Sequence, residues 1–176
     1  MKTFIKTKSI IMAIIITSGI ASGLQSKIEL DDNIQYLNKE IISFARKNKG
    51  KKVGRGECWD LAAIPLKKYN ASWNGQYIFG KKISYGNNKR HYIGKDIRIK
   101  IGDIIQYKKV KLEGSWGYMT LGYPDHTAII NKVETNLKFS VLEQNFNNKR
   151  YVTENMVDLN YLKKGSYIIY RPFRKK

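Results

Sequence analysis

At about residue 76 the hydrophobic period of the chain changes, and this change limits the fold more than any other feature. Before it, apolar residues recur at helical spacing. Ile34, Leu37, Ile41, Ile42 and Ala45 line one face of an amphipathic helix over residues 33–48, ended by Gly50 and Lys51-Lys52. A glycine turn carrying the cysteine and a second helix then occupy roughly 54–70, and Pro65 predicts a kink or an early end of that helix. Asn70-Ala71-Ser72 reads as the loop after it. Beyond 76, residues 76–83, 103–110, 126–133, 137–145, 150–153 and 166–170 read as strands, with turn chemistry at 86–88 and 134–136. Helices followed by a meander of strands predict an α+β domain, N-terminal helices packed on an antiparallel β-sheet. Residues 111–125, rich in glycine and aromatics, read as a loop. There is no internal repeat or low-complexity linker.

The first residues read as a targeting segment rather than as fold. Lys2, Lys6 and Lys8 precede an apolar run from Ile10 to Ile16, and Ala21-Ser22-Gly23 supplies small residues for cleavage. The run is short for a bilayer span, so residues 1–23 predict a cleaved secretory signal, leaving no stable membrane span. No cysteine closely follows the run, which argues against a lipid-modified form. Residues 24–49 form an N-terminal helical segment and 50–176 the main domain. The expected location is secreted, periplasmic or cell-wall associated.

Charge constrains partners. The formal net charge is +19, and residues 1–23 hold three lysines and no acid, so a chain starting after them carries +16. A field of that sign favours polyanions. The lysines are dispersed, with no nucleic-acid motif beside them, so an anionic cell-wall polymer is the expected partner and nucleic acid is not. A merely solvated basic surface is the plain alternative.

Cys58 is the only cysteine of the chain, in Gly54-Arg55-Gly56-Glu57-Cys58-Trp59-Asp60. A lone cysteine is commonly a small buried hydrophobe. Here, glycines before it and helical spacing after it place the sulfur at a helix start, where unpaired N–H groups favour thiolate. One cysteine forms no internal disulfide, and a free thiol in an exported protein calls for a use. Downstream, His126 opens the apolar run Thr127-Ala128-Ile129-Ile130, and Glu143-Gln144-Asn145 closes the next. Cysteine, then histidine, then a polar orienting residue is the chain order of papain-like thiol chemistry. On a strand Glu143 and Asn145 share a face and Gln144 points away, so either of the first two is the candidate to orient the imidazole.

These pieces, with Gly102-Asp103-Ile104-Ile105, resemble a CHAP domain, the cysteine/histidine amidase–peptidase branch of the NlpC/P60-like papain superfamily. The resemblance covers about residues 50–172. It implies a papain-like single domain with Cys58 as nucleophile, His126 as base, and Glu143 or Asn145 as the third member. It implies no metal or cofactor. The Cys58 N–H would contribute to an oxyanion hole. Family members often have glutamine before the cysteine. Here Glu57 stands there and its charge would oppose an oxyanion, so Glu57 must point away or another donor such as the Trp59 N–H must serve.

Trp59, Trp116, Tyr118 and Tyr123 are the candidate substrate-binding aromatics, the last three in the 111–125 segment. They can equally be packed surface residues. His91 reads as a surface residue, Asp125 as a turn residue and Asp60 as a complement to the helix dipole. The expected activity is cleavage of peptidoglycan amide bonds by a monomeric exported enzyme, as an N-acetylmuramoyl-L-alanine amidase or an endopeptidase. Two rivals are a secreted effector or toxin using the same chemistry on a non-self wall or host protein, and a non-enzymatic surface-binding module.

Overall fold

A computed structural model describes residues 36–73 and 75–174. The expected leader and residues 24–35 lie outside the described residues. Two helices, α1 over residues 36–47 and α2 over Asp60–Lys68, precede seven strands. These are β1 (Lys81–Asn87), β2 (His91–Ile93), β3 (Ile104–Gly114), β4 (Gly117–Val133), β5 (Lys138–Glu143), β6 (Thr153–Asp158) and β7 (Leu162–Arg171). They form one sheet in the order β2-β1-β7-β3-β4-β5-β6, and every neighbouring pair is antiparallel. The α+β expectation holds, with sheet outweighing helix. Among the described residues no helix is long and apolar enough to cross a membrane.

Adjacent residues on the central strands serve different cores. Ile104, Ile129, Leu142 and Tyr170 pack with Leu37, Ile41 and Ala45 of α1 and Leu61 and Leu66 of α2. Their neighbours Ile105, Ile130, Val141 and Ile169 face the other way, into a core built almost wholly by the sheet with Tyr107, Phe139 and Val157. Burial on both faces explains why these strands read as continuous apolar runs.

Several boundaries are corrected. The 111–125 segment is a strand hairpin: β3 continues to Gly114 and β4 begins at Gly117, with Glu113 opposite Tyr118. The segment alternates as a strand should, but its glycines and aromatics masked the period. Residues 76–80 precede β1 rather than opening it, and 150–152 precede β6. Residues 54–59 form the expected turn, and α2 runs through Pro65 to Lys68 without ending there.

Gly102-Asp103 is a structural anchor. Gly102 has φ +85°, and a Cβ there would lie 2.4 Å from the Asn38 carbonyl oxygen. The buried Asp103 carboxylate accepts two bonds from Arg171 at the end of β7, 3.0 Å from Nε and 2.8 Å from an Nη, and one from Asn38 Nδ2 on α1 at 3.0 Å. It joins helix layer, β3 and β7 at one point.

Candidate active site

Cys58 lies in the turn ahead of α2, and that turn is held from three sides. Asp60 Oδ2 accepts the backbone N–H of Arg55 at 2.8 Å and of Glu57 at 3.3 Å, so Asp60 folds the turn as well as complementing the helix dipole. Gln144, fully buried, donates to the carbonyls of Val53 (2.9 Å) and Glu57 (2.7 Å) and accepts from the Val53 N–H at 3.1 Å. Arg150 donates to the Arg55 carbonyl at 2.9 Å. Gly56, at φ +86°, admits Arg150 so closely that a Cβ would lie 3.1 Å from its carbonyl oxygen.

The partner comes from the sheet. His126, on β4, is buried and directly opposite Tyr107 of β3, with the rings stacked at 6.2 Å and 18°. Phe146 packs on the imidazole at 6.0 Å. His126 Nε2 is 2.6 Å from Glu143 Oε2, and Glu143, the last residue of β5, has no exposure. With Nε2 so engaged, Nδ1 is the nitrogen left for the Cys58 thiol, whose ionised form the ring favours.

Electrostatics favour the charged pair. Burial alone pushes the Cys58 thiol up, but the His126 hydrogen bond and charge, with the N–H groups of Thr127 and Trp59, outweigh it and leave the thiol below its ordinary value. Burial likewise disfavours the imidazolium. Hydrogen bonds with Cys58 and Glu143, and the charges of both, overcome it and raise His126 to about 9. This arrangement favours the thiolate–imidazolium pair over the neutral one.

The structure separates the two candidates for third member. Glu143 meets the imidazole, whereas Asn145 has left the strand. Its φ is +59°, and its Nδ2 donates to Glu57 Oε2 at 3.0 Å. The parity of Glu143 and Gln144 matches the strand expectation; that of Asn145 is lost because β5 ends at Glu143. Glu57 turns its carboxylate toward Asn145 and Arg150, with which it forms an ion pair. Its charge is thereby balanced by Arg150.

Sequence reasoning missed Asn155. Its Nδ2 donates to the other Glu143 oxygen, Oε1, at 2.7 Å. Thr153 is the register partner of Glu143, so Asn155 is its diagonal neighbour across β5 and β6. The available signal was the carboxylate itself, since a buried Glu143 needs a donor on each oxygen. Tyr107 was also missed; its fully buried hydroxyl has no hydrogen-bond partner among the described residues.

The aromatic candidates divide. Trp59, the residue after the cysteine, borders a cleft. Trp116 and Tyr118 sit at the far end of the β3–β4 hairpin, 53% and 70% exposed, against Tyr161 and Lys111. Tyr118 lies roughly 25 Å along β4 from His126 at the rise of a strand, so the pair does not border the Cys58–His126 site. Tyr123 belongs to β4, and its side chain lies outside the described residues. Asp125 is a β4 strand residue opposite Lys108 rather than a turn residue. His91 is exposed on β2, its ring stacked on Tyr167 at 5.8 Å. Among the described residues no three His, Cys, Asp or Glu side chains cluster as a metal site.

Comparison with known proteins gives one family. The model of the AIM3/BBC1 cysteine proteinase-fold domain matches residues 24–176. The protein named Altered inheritance of mitochondria protein 3, from the yeast Debaryomyces hansenii, is 33% identical over 174 residues. That alignment covers 89% of this chain and 18% of the yeast protein, so the chain spans under a fifth of its relative's length. Among solved structures, Ly7917 is similar at 20% identity and a TM-score of 0.44, over 76% of this chain and 62% of that one. The structure of Ly7917 with the hydrolyzing product of MDP is similar at 22% identity and the same TM-score, over 77% of this chain and 62% of that one.

Proposed function

The chain belongs to the AIM3/BBC1 cysteine proteinase-fold family, and we propose that it is a thiol hydrolase that cleaves amide bonds by acyl transfer through Cys58. One observation carries this reading: the imidazole whose charge favours ionisation of the only cysteine has its Nε2 2.6 Å from a fully buried carboxylate. Such a chain of partners fixes the tautomer and stabilises the imidazolium.

The Cys58 thiolate attacks the amide carbon, and the Cys58 N–H stabilises the oxyanion. As the C–N bond breaks, imidazolium Nδ1 gives its proton to the leaving amine, and a thioester remains. Water then adds to the thioester while the imidazole takes its proton. The acid departs, and the proton held by His126 restores the pair. Glu143 keeps the ring in place throughout, and Arg150 keeps Glu57 from opposing the oxyanion.

The finer reading places this chemistry, in a CHAP-like enzyme, on peptidoglycan or a similar anionic wall polymer. The +19 charge and the leader pattern at residues 1–23 support it, the first by attracting a polyanion and the second by suggesting export. Digestion of purified wall followed by mass spectrometry of the muropeptides tests it. New amine and carboxyl ends are expected with the native protein and none with Cys58→Ala, a loss of at least about a hundredfold. A folded Cys58→Ala protein with full activity would sink the hydrolase reading. Hydrolysis of peptides without any action on wall would move the target elsewhere.

A further inference from the structure

Trp59 connects the candidate nucleophile to a second feature. It follows Cys58 directly in the chain and lines a cleft of about 500 Å³ together with Gly75, Gln76, Tyr77 and Ile78. That volume lies within the range of sites that take small organic groups. Among the described residues no charged side chain lines the cleft, although the chain carries 33 lysines and arginines. Tyr77 and Ile78 are 51% and 48% exposed, so the cleft offers large apolar surface to solvent.

The walls are held in place by their own contacts. The Trp59 indole packs against Trp73 at 5.9 Å and lies under the Arg55 guanidinium at 5.6 Å. Trp73 Nε1 in turn donates to the Gln76 carbonyl at 2.9 Å. One aromatic pair thus fixes both the wall nearest the sulfur and the backbone of the wall facing it.

We propose that this cleft is a specificity subsite that takes an uncharged apolar side chain of the substrate, aliphatic or aromatic, next to the bond presented to Cys58. Tyr77 and Ile78 are its specificity-determining residues. A charged side chain placed there would lose hydration and find no ionic partner among the described lining residues, whereas an apolar one covers surface already exposed to water. The surface charge would then select the polymer and the cleft the bond within it. The inference rests on the proposed hydrolase reading only for the identity of that bond.

The test uses the thiol itself. Peptidyl chloromethyl ketones carrying Leu, Phe, Asp or Lys at the residue next to the reactive carbon alkylate Cys58, the S–C bond forming as chloride leaves. Labelling rates are read by intact-protein mass spectrometry, with iodoacetamide as a probe too small to use the cleft. The Leu and Phe reagents are expected to label at least about tenfold faster than the Asp reagent, the scale set by apolar pocket contacts. Tyr77→Ala should weaken that preference, and Ile78→Asp should shift it toward the Lys reagent, both with the iodoacetamide rate unchanged. Equal rates for all four reagents, or a preference that survives both variants, would overturn the proposal. Apolar preference without hydrolysis of any amide would leave the subsite standing and the hydrolase reading fallen. Hydrolysis without preference would do the reverse.

Discussion

Both oxygens of Glu143 are occupied, one by the His126 ring and one by the Asn155 amide, and this arrangement decides what each substitution should do. Glu143→Gln removes the charge that favours the imidazolium, so kcat/KM should fall by roughly a hundredfold or more. Asn155→Ala leaves the carboxylate but frees one oxygen, and a loss on the order of tenfold is expected, the size of one hydrogen bond to a charged group. Asn145→Ala should leave the imidazole untouched, because its amide is bonded to Glu57. The pH profile separates positioning from simple loss of stability. His126 holds its proton to about 9, and the Cys58 thiol is lowered, so activity should plateau between the two and decline as pH rises past about 9. Glu143→Gln and Asn155→Ala should move that alkaline limb to lower pH, whereas Asn145→Ala should not. The sign for stability is the same: a raised histidine stabilises the fold below its ordinary 6.5, and the contribution is lost as pH rises through about 9. Unmoved limbs in all three variants would remove Asn155 from any positioning role.

At the scale of elements, Gln144 links the end of β5 to the cysteine turn and so couples two halves of the site. Three hydrogen bonds to Val53 and Glu57 vanish in Gln144→Ala, leaving buried backbone groups unpaired. A cost of about 1–3 kcal/mol is expected. Thermal denaturation measures that cost, and the rate of Cys58 alkylation shows whether the turn has moved. A lowered melting temperature with an unchanged alkylation rate would make Gln144 a brace for the fold alone. This residue also shows where the sequence was legible. Period two along β5 placed Glu143 and Gln144 on opposite faces, and the structure puts one at the imidazole and the other at the cysteine turn. The same rule gave Asn145 the wrong surroundings, because the left-handed backbone after Glu143 ends the alternation. The central strands were readable because both faces are apolar. The edge strands β2 and β6 were lost or displaced, since His91-Tyr92-Ile93 and Thr153–Asp158 carry too few apolar residues to set a period. Asn155, on one of those edges, was therefore out of reach.

At the scale of the whole molecule the charge is unevenly matched, 33 basic residues against 14 acidic ones, and several of the acids are already engaged. Glu154 pairs with Lys49, Glu134 with Lys138, Glu57 with Arg150 and Asp103 with Arg171. On the proposed reading, the excess cations act at long range on a polyanion. Two consequences of salt then differ. Adding salt shortens the screening length from about 10 Å at 0.1 M to about 3 Å at 1 M, which weakens attraction to a wall polymer. The Cys58–His126–Glu143 group is buried at its centre and is screened far less. Turnover of whole wall should therefore fall steeply over that range, while cleavage of a small soluble muropeptide should change little. Measuring both substrates with one enzyme preparation removes folding as a variable. A parallel fall would trace the salt effect to the site and leave the basic surface without a part in targeting. A flat response on wall would separate the charge from substrate capture altogether.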